Sequence, residues 1–213
     1  MKRKIPCFCD NVFDVEVPDE INLDSEPKYL EEIFNGSFLN FNCPSCGKKH
    51  KPEFPLTILW PSKALCFEIL PELDRGEFYR RKEVPLKKEP FTLETIIVYP
   101  EIADRLAVIR DGYEPIAIEA IKYHLQVKAE EQYPDNEIEI WYFGSKPEAS
   151  SGYLEFHIHG IKENEVAVSK IPLALYEKTL SDYKKQPKSE IFTILRVKSY
   201  LSIKNTMRLE TLK

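Results

Sequence analysis

Four cysteines constrain this chain more than any other feature. Cys7-Phe8-Cys9 is followed by 33 residues and then by Cys43-Pro44-Ser45-Cys46-Gly47. In Cys-Pro-x-Cys-Gly the proline presets φ for a tight turn, so both sulfurs point at one centre. Backbone N–H groups can then donate to the thiolates, and Gly47 permits the positive φ that closes such a knuckle. Brought together, the two pairs make an S₄ site, which selects zinc or iron over hard cations. The expectation is one Zn²⁺ on Cys7, Cys9, Cys43 and Cys46. The shorter Cys-x-Cys can chelate one ion but cannot form the same knuckle. Its alternative is one ligand and one bystander, with His50 or water as fourth donor. His50 otherwise reads as a surface residue on the strand leaving the knuckle. Cys66 lies inside the apolar run ALCFEIL and reads as a small core hydrophobe.

The cellular setting supports metal over disulfide. MKRKIPCFC at the N-terminus lacks the apolar centre of a secretory signal. No stretch approaches the ~20 apolar residues that span a bilayer. The expected location is the cytoplasm, without membrane contact, where closely spaced cysteines stay reduced and hold metal. The net charge of −5 argues against non-specific nucleic-acid binding. The distribution argues harder: between the cysteine pairs, Asp10 to Glu32 carries nine acids and one lysine. A nucleic-acid partner is not expected; an unidentified protein partner is. The opposite bias, Arg80, Arg81, Lys82, Lys87 and Lys88 against Glu83, reads as a solvated linker.

Hydrophobic periodicity gives an α+β chain. VFDVEV at 12–17 alternates with a period of two, a half-buried strand with Phe13, Val15 and Val17 inward. Pro18 ends it and INLDSEP follows as a loop. KYLEEIFNG predicts a short helix opened near Pro27, with Leu30, Ile33 and Phe34 as its stripe and Asn35-Gly36 as its stop. Short strands are expected at 38–42, 50–59 and 64–70. Residues 74–95 are polar, charged and proline-punctuated. The expected organisation is therefore a zinc-ribbon-like β unit with an inserted helix at 1–73, a charged linker at 74–95, and a small α+β helix–sheet domain at 96–213. In the last, helices are expected over 101–109, from Pro115 to Tyr133, and from Pro172. EIEIWYF and YLEFHIH alternate as a hairpin, Val166–Val168 is a further strand, and Ile191–Val197 is strand-like.

The segment CFCDNVFDVEVPDEINLDSEPKYLEEIFNGSFLNFNCPSCGKKHKPEFPL resembles the CpXC family, bacterial and archaeal proteins with two Cys-Pro-x-Cys pairs separated by a strand, a short helix and a second strand. RLAVIRDGYEPIAIEAIK is similar to the helical part that follows in longer members, and the later hairpin and IPLALYE fit as well, so the resemblance spans about residues 5–180. Cys43 and Cys46 match the family pair directly. Cys7 and Cys9 occupy the place of the first pair but lack its proline and one residue. Because the family is functionally uncharacterised, the resemblance implies a fold and a metal but no activity.

Three functions follow as expectations. The first is a non-catalytic interaction or scaffold module with structural zinc. The second is a thiol/zinc redox sensor, since Cys-x-Cys followed about thirty residues later by Cys-x-x-Cys is similar in spacing to the zinc centre of the redox-regulated heat-shock chaperone. The third is a metal-dependent enzyme on the strand face carrying His157, His159 and Glu155, opposite Glu137 and Glu139. The bland reading of that face is a wet hairpin surface with cross-strand His–Glu pairs. There is no Gly-rich phosphate loop, nucleophile elbow or catalytic cysteine–histidine motif, so no catalytic residue is assigned.

Overall fold

The computed structural model describes residues 1–82, 87–146 and 152–206. It mixes helices and strands in an α+β fold and divides into two compact units, Met1–Ala103 and Asp104–Lys213.

The first unit opens with an antiparallel hairpin of β1 (Lys2–Pro6) and β2 (Val12–Glu16). The period-two pattern of β2 is realised: Phe13 and Val15 are buried, while Val12, Asp14 and Glu16 face out. Across the hairpin Lys2 faces Glu16 and Lys4 faces Asp14, the favourable charge arrangement for an exposed ladder. The INLDSEP loop expected next begins inside strand β3 (Glu20–Asn22), which pairs in parallel with β6 (Leu56–Trp60). Ile21 is fully buried there, and three residues are too few to display a period. Helix α1 (Lys28–Phe34) turns Ile33 inward and stops at Asn35 and Gly36, whose φ is +72°. The strand expected at 38–42 shrinks to β4 (Phe41–Asn42), because Leu39 adopts a left-handed φ of 47°. It pairs with β5 (Lys49–His50).

Strands β6 and β7 (Leu65–Leu70) form an antiparallel pair joined through Pro61–Lys63. The stretch 74–95, expected as a linker, carries secondary structure. Helix α2 (Arg75–Arg80) buries Phe78, and the Arg81 guanidinium covers that ring while forming an ion pair with Glu68 of β7. Beyond it, β8 (Lys87–Lys88) pairs with β9 (Phe91–Ile97), which lies parallel to β7. The charges that suggested a linker are thus partly engaged with a sheet. Positions 83–86 of the basic run lie outside the described residues.

Helix α3 (Tyr99–Arg110) carries the chain across the division between the units. In the second unit α4 (Pro115–Gln132) starts and stops at Pro115 and Tyr133, as expected. His124, on its flank, is exposed. Strands β10 (Glu139–Lys146), β11 (Tyr153–Lys162) and β12 (Glu165–Pro172) form an antiparallel sheet in that order. Ile140, Tyr142, Leu154, Phe156 and Ile158 are its buried side chains. Helix α5 (Leu173–Lys185) follows from Pro172. The strand-like run Ile191–Val197 is instead helix α6 (Glu190–Ile194) and a two-residue strand β13 (Arg196–Val197) paired with β14 (Tyr200–Leu201). Packing decided that outcome. Phe192 and Leu195 bury against Ile116, Ala120, Leu201 and Ile203, which needs helical spacing rather than alternation.

Candidate metal centre

The local backbone builds the two half-sites separately. Cys7 accepts from the Asp10 N–H at 3.0 Å and donates its own N–H to Asn11 O at 2.8 Å, with Asp10 at a φ of 64°. This tight turn joins β1 to β2 and puts Cys7 and Cys9 at the tip of the first hairpin. The second half-site closes as the Cys-Pro-x-Cys-Gly pattern predicts. Gly47 N–H donates to Cys43 O at 2.8 Å, Cys43 N–H to Lys48 O at 2.9 Å, and Gly47 takes a φ of +73°. Both tips converge. Cys7 Sγ lies 3.6 Å from Cys46 Sγ, and Cys9 Sγ lies 3.7 Å from Cys43 Sγ. All four sulfurs fall within 4.8 Å of one another. A tetrahedron with Zn–S bonds of 2.3 Å has edges of about 3.8 Å, so the donors present fit a single S₄-bound ion. Cys7 and Cys43 are buried, whereas Cys9 and Cys46 are exposed.

The neighbours of the sulfurs differ from one to the next. Asn11 Nδ2 is 3.6 Å from Cys43 Sγ, and His50 Nε2 is 3.1 Å from Cys7 Sγ. The His50 ring meets Phe13 edge-on at 5.7 Å and lies parallel to Phe8 at 6.4 Å. His50 is therefore a half-buried partner of Cys7 rather than a free surface residue. At Cys7 the Cys9 backbone N–H draws the thiol pKa down, but burial and the neighbouring cysteines outweigh it and push it up to about 12. At Cys43 burial acts upward, yet the backbone N–H groups of Cys46 and Ser45, the Asn11 amide and the Cys7 thiol outweigh it and hold it at about 6. The Asn11 backbone N–H, followed by the Cys46 and Cys7 thiols, lowers Cys9. One high and two low values in one cluster describe thiols sharing protons, the state a metal ion replaces.

Cys66 is buried in β7, as expected of a core residue. The His157 face is assembled differently from a metal site. His159 stands opposite Glu139 and His157 opposite Trp141. His157 Nε2 reaches Glu155 at 3.5 Å, and Phe143 stacks on the imidazole at 3.9 Å. Among the described residues, the four cysteines are the group whose donor atoms converge closely enough to hold an ion. Sequence reasoning did not single out Asn11, although its position two residues after a Cys-x-Cys is a usable signal for a donor beside the site.

Among the described residues no helix is long and apolar enough to cross a membrane. A profile described as CpXC protein matches residues 5–122, which covers both cysteine pairs, runs into α4 and takes in more than half of the chain. An uncharacterized protein of Treponema pallidum (strain Nichols) is 29% identical over 214 residues, covering 95% of this chain and 97% of that protein. No solved structure matches the chain.

Proposed function

The chain belongs to the CpXC family, and on that premise we propose that Cys7, Cys9, Cys43 and Cys46 hold one structural Zn²⁺ in a non-catalytic module that binds a protein partner. The observation carrying this reading is the convergence of four sulfurs from two separate hairpin tips. Four thiolates give a closed site with no open position for substrate, the arrangement of structural rather than catalytic zinc. Soft donors favour zinc or iron over calcium or magnesium. The elements involved are small: β4 and β5 have two residues each. Metal binding of about 10 kcal/mol or more can hold such elements where side-chain burial cannot.

Phe8 supports a protein partner. It is 85% exposed at the tip of the centre, and Lys48 Nζ lies 4.2 Å from its ring centroid. An exposed aromatic beside a cation is the composition of an interface anchor. The acidic run 10–32 speaks against nucleic acid as the partner, and the cytoplasm remains the proposed location. Elemental analysis of the purified protein tests the metal: one equivalent of zinc is expected, abolished in Cys43→Ser. Absence of zinc, or iron with visible absorbance, overturns the reading. A gel shift at physiological salt tests the exclusion of nucleic acid, with sub-micromolar binding as the contrary result.

A second reading, a thiol/zinc redox sensor, is favoured by the exposure of Cys9 and Cys46. Zinc retained after peroxide supports the structural role alone; zinc lost reversibly supports sensing. The His157 face has no convergent ligand set among the described residues, and no catalytic role is proposed for it.

A further inference from the structure

Resting on the zinc reading, we propose that His50 and Asn11 cap the two buried thiolates of the metal centre, so that soft electrophiles modify it first at Cys9 and Cys46. Each buried cysteine of the centre has one side-chain nitrogen beside it, and the Nε2–H tautomer of His50 makes that ring a donor to a Cys7 thiolate. His50 Nε2 lies 3.1 Å from Cys7 Sγ, and Asn11 Nδ2 lies 3.6 Å from Cys43 Sγ. Among the described residues, the side chains within hydrogen-bonding reach of the Cys9 and Cys46 sulfurs are those of other cysteines. The division of donors therefore follows the division of burial.

Both donors are positioned by the elements that position the sulfurs. His50 stands opposite Phe41 in the β4–β5 ladder that carries the knuckle, and Phe13 of β2 packs against its ring. Asn11 lies in the turn that presents Cys7 and Cys9, and its backbone carbonyl accepts the Cys7 N–H. Each donor thus belongs to one half-site and reaches a sulfur of the other. A hydrogen bond to a metal-bound thiolate withdraws charge from the sulfur lone pair and lowers its nucleophilicity without removing it from the metal. Cys9, which has the Asn11 backbone N–H but no side-chain nitrogen donor, and Cys46 keep more of theirs and are exposed. The ligand class that fits the uncapped pair is a soft carbon or sulfur electrophile, small enough to approach beside Phe8.

Iodoacetamide is the probe. A thiolate sulfur displaces iodide: the S–C bond forms, the C–I bond breaks, and iodide leaves. Full-length zinc-loaded protein is treated with a limiting amount, and labelled cysteines are identified by peptide mapping, with buried Cys66 as internal control. Zinc content is measured first, so a protein without zinc counts against the metal reading and not against this one. The expected result is labelling of Cys9 and Cys46 about tenfold ahead of Cys7 and Cys43, the low end of what outer donors contribute at metal sites. Two substitutions separate hydrogen bonding from simple cover. His50→Phe keeps a ring over Cys7 but removes the donor, and should raise Cys7 labelling while zinc stays bound. His50→Gln keeps an N–H at the same reach and should leave Cys7 protected. Equal labelling of all four cysteines in the zinc-loaded protein overturns the proposal. So does equal protection of Cys7 in both variants, which would assign the effect to burial alone.

Discussion

Lys122 Nζ lies 2.7 Å from Asp104 Oδ2 and 2.8 Å from Glu119 Oε1, with all three side chains no more than 5% exposed. The arrangement extends further. Glu119 Oε1 is 3.5 Å from the Arg105 guanidinium, and Glu119 Oε2 accepts the Ile203 N–H at 2.8 Å. Asp104 Oδ1 accepts the Tyr142 N–H, and Arg105 donates to Leu201 O at 2.7 Å. Two carboxylates and two cations therefore join α3, α4, β10 and the segment around β14 in the interior of the second unit. Burial of such charges is costly unless each is paired and hydrogen-bonded, as they are here.

Removing the shared cation should be the most damaging single change to this network. Lys122→Met leaves Asp104 and Glu119 facing one another in a buried site. The expected loss is about 3–5 kcal/mol of unfolding free energy, the range for breaking a buried ion pair by deleting one partner. Adding Asp104→Asn to Lys122→Met should recover part of it, because one uncompensated charge is removed as well. Urea unfolding of the two variants and the parent checks this. A loss below 1 kcal/mol for the single variant would mean that water already screens the carboxylates.

Stability should decline in alkali, from several groups acting together. Burial pushes the Tyr99 phenol up to about 12 from an ordinary 10.0, against the Phe54 N–H, which donates to the phenol oxygen and acts the other way. Burial tends to lower Lys122, but Asp104 and Glu119 outweigh it and hold it above its ordinary 10.5. Both groups keep their protons more tightly in the folded chain than in the unfolded one. Their stabilisation is full below the ordinary values and is lost as pH rises through the raised ones. In acid the buried carboxylates oppose each other. Burial acts upward on Glu119, but Lys122 and Arg105 outweigh it and lower it, so its contribution is lost as pH falls through that lowered value. Asp104 is raised by burial more than Lys122 draws it down, so its protonation favours the fold. A pH series of chemical unfolding should show stability falling as pH rises above about 10. A flat alkaline limb would contradict the assignment.

This network was not legible in the sequence, because Asp104, Arg105, Glu119 and Lys122 sit at spacings that an exposed helix face also uses. Glu119 and Lys122 are an ordinary i, i+3 pair by pattern alone. Local signals succeeded elsewhere. Pro44 and Gly47 encode the knuckle within five residues, alternation encodes β2 and the β10–β11 pair, and Asn35-Gly36 encodes the end of α1. They failed where a neighbour decides the conformation. Ile21 reads as loop because β3 is three residues long and takes its conformation from pairing with β6. Residues 191–194 read as strand by their β-branched content, yet the apolar surface beside Phe192 selects a helix. The four ligand candidates could be named from spacing. The contact of His50 Nε2 with Cys7 Sγ required knowing that β5 lies beside the first hairpin.

Gly160→Ala should destabilise the β10–β11 region severely. Gly160 has a φ of +90°, and a Cβ there would stand 1.9 Å from Glu137 O. The Asn136 amide also donates to Gly160 O and Ile161 O, which fixes this backbone from the other side. Neither the backbone carbonyl nor the positive φ can yield cheaply, so a cost of about 2 kcal/mol or more is expected. Thermal unfolding measures it, and a melting temperature equal to that of the parent would show that this stretch of β11 relaxes freely.

Metal removal should act unevenly along the chain. In the first unit the β1–β2 tip and the β4–β5 knuckle meet through the four cysteines, while α1 offers Ile33 as its only buried residue and is too short to persist alone. The second unit has its own apolar cluster around Ile116, Phe192 and Leu195 and its own buried ion network. Hydrogen exchange with and without a zinc chelator is the direct measurement. Amide protection is expected to fall over residues 5–55 and to hold over β10–β12 and α4. Acidification should reproduce the chelator pattern, since each thiolate must take up a proton as the ion leaves. Loss spread evenly over both units would mean that they unfold as one cooperative body. Protection unchanged throughout, in protein shown beforehand to contain zinc, would mean that the ion does not hold the fold, and the redox reading of Cys9 and Cys46 would then become the leading one.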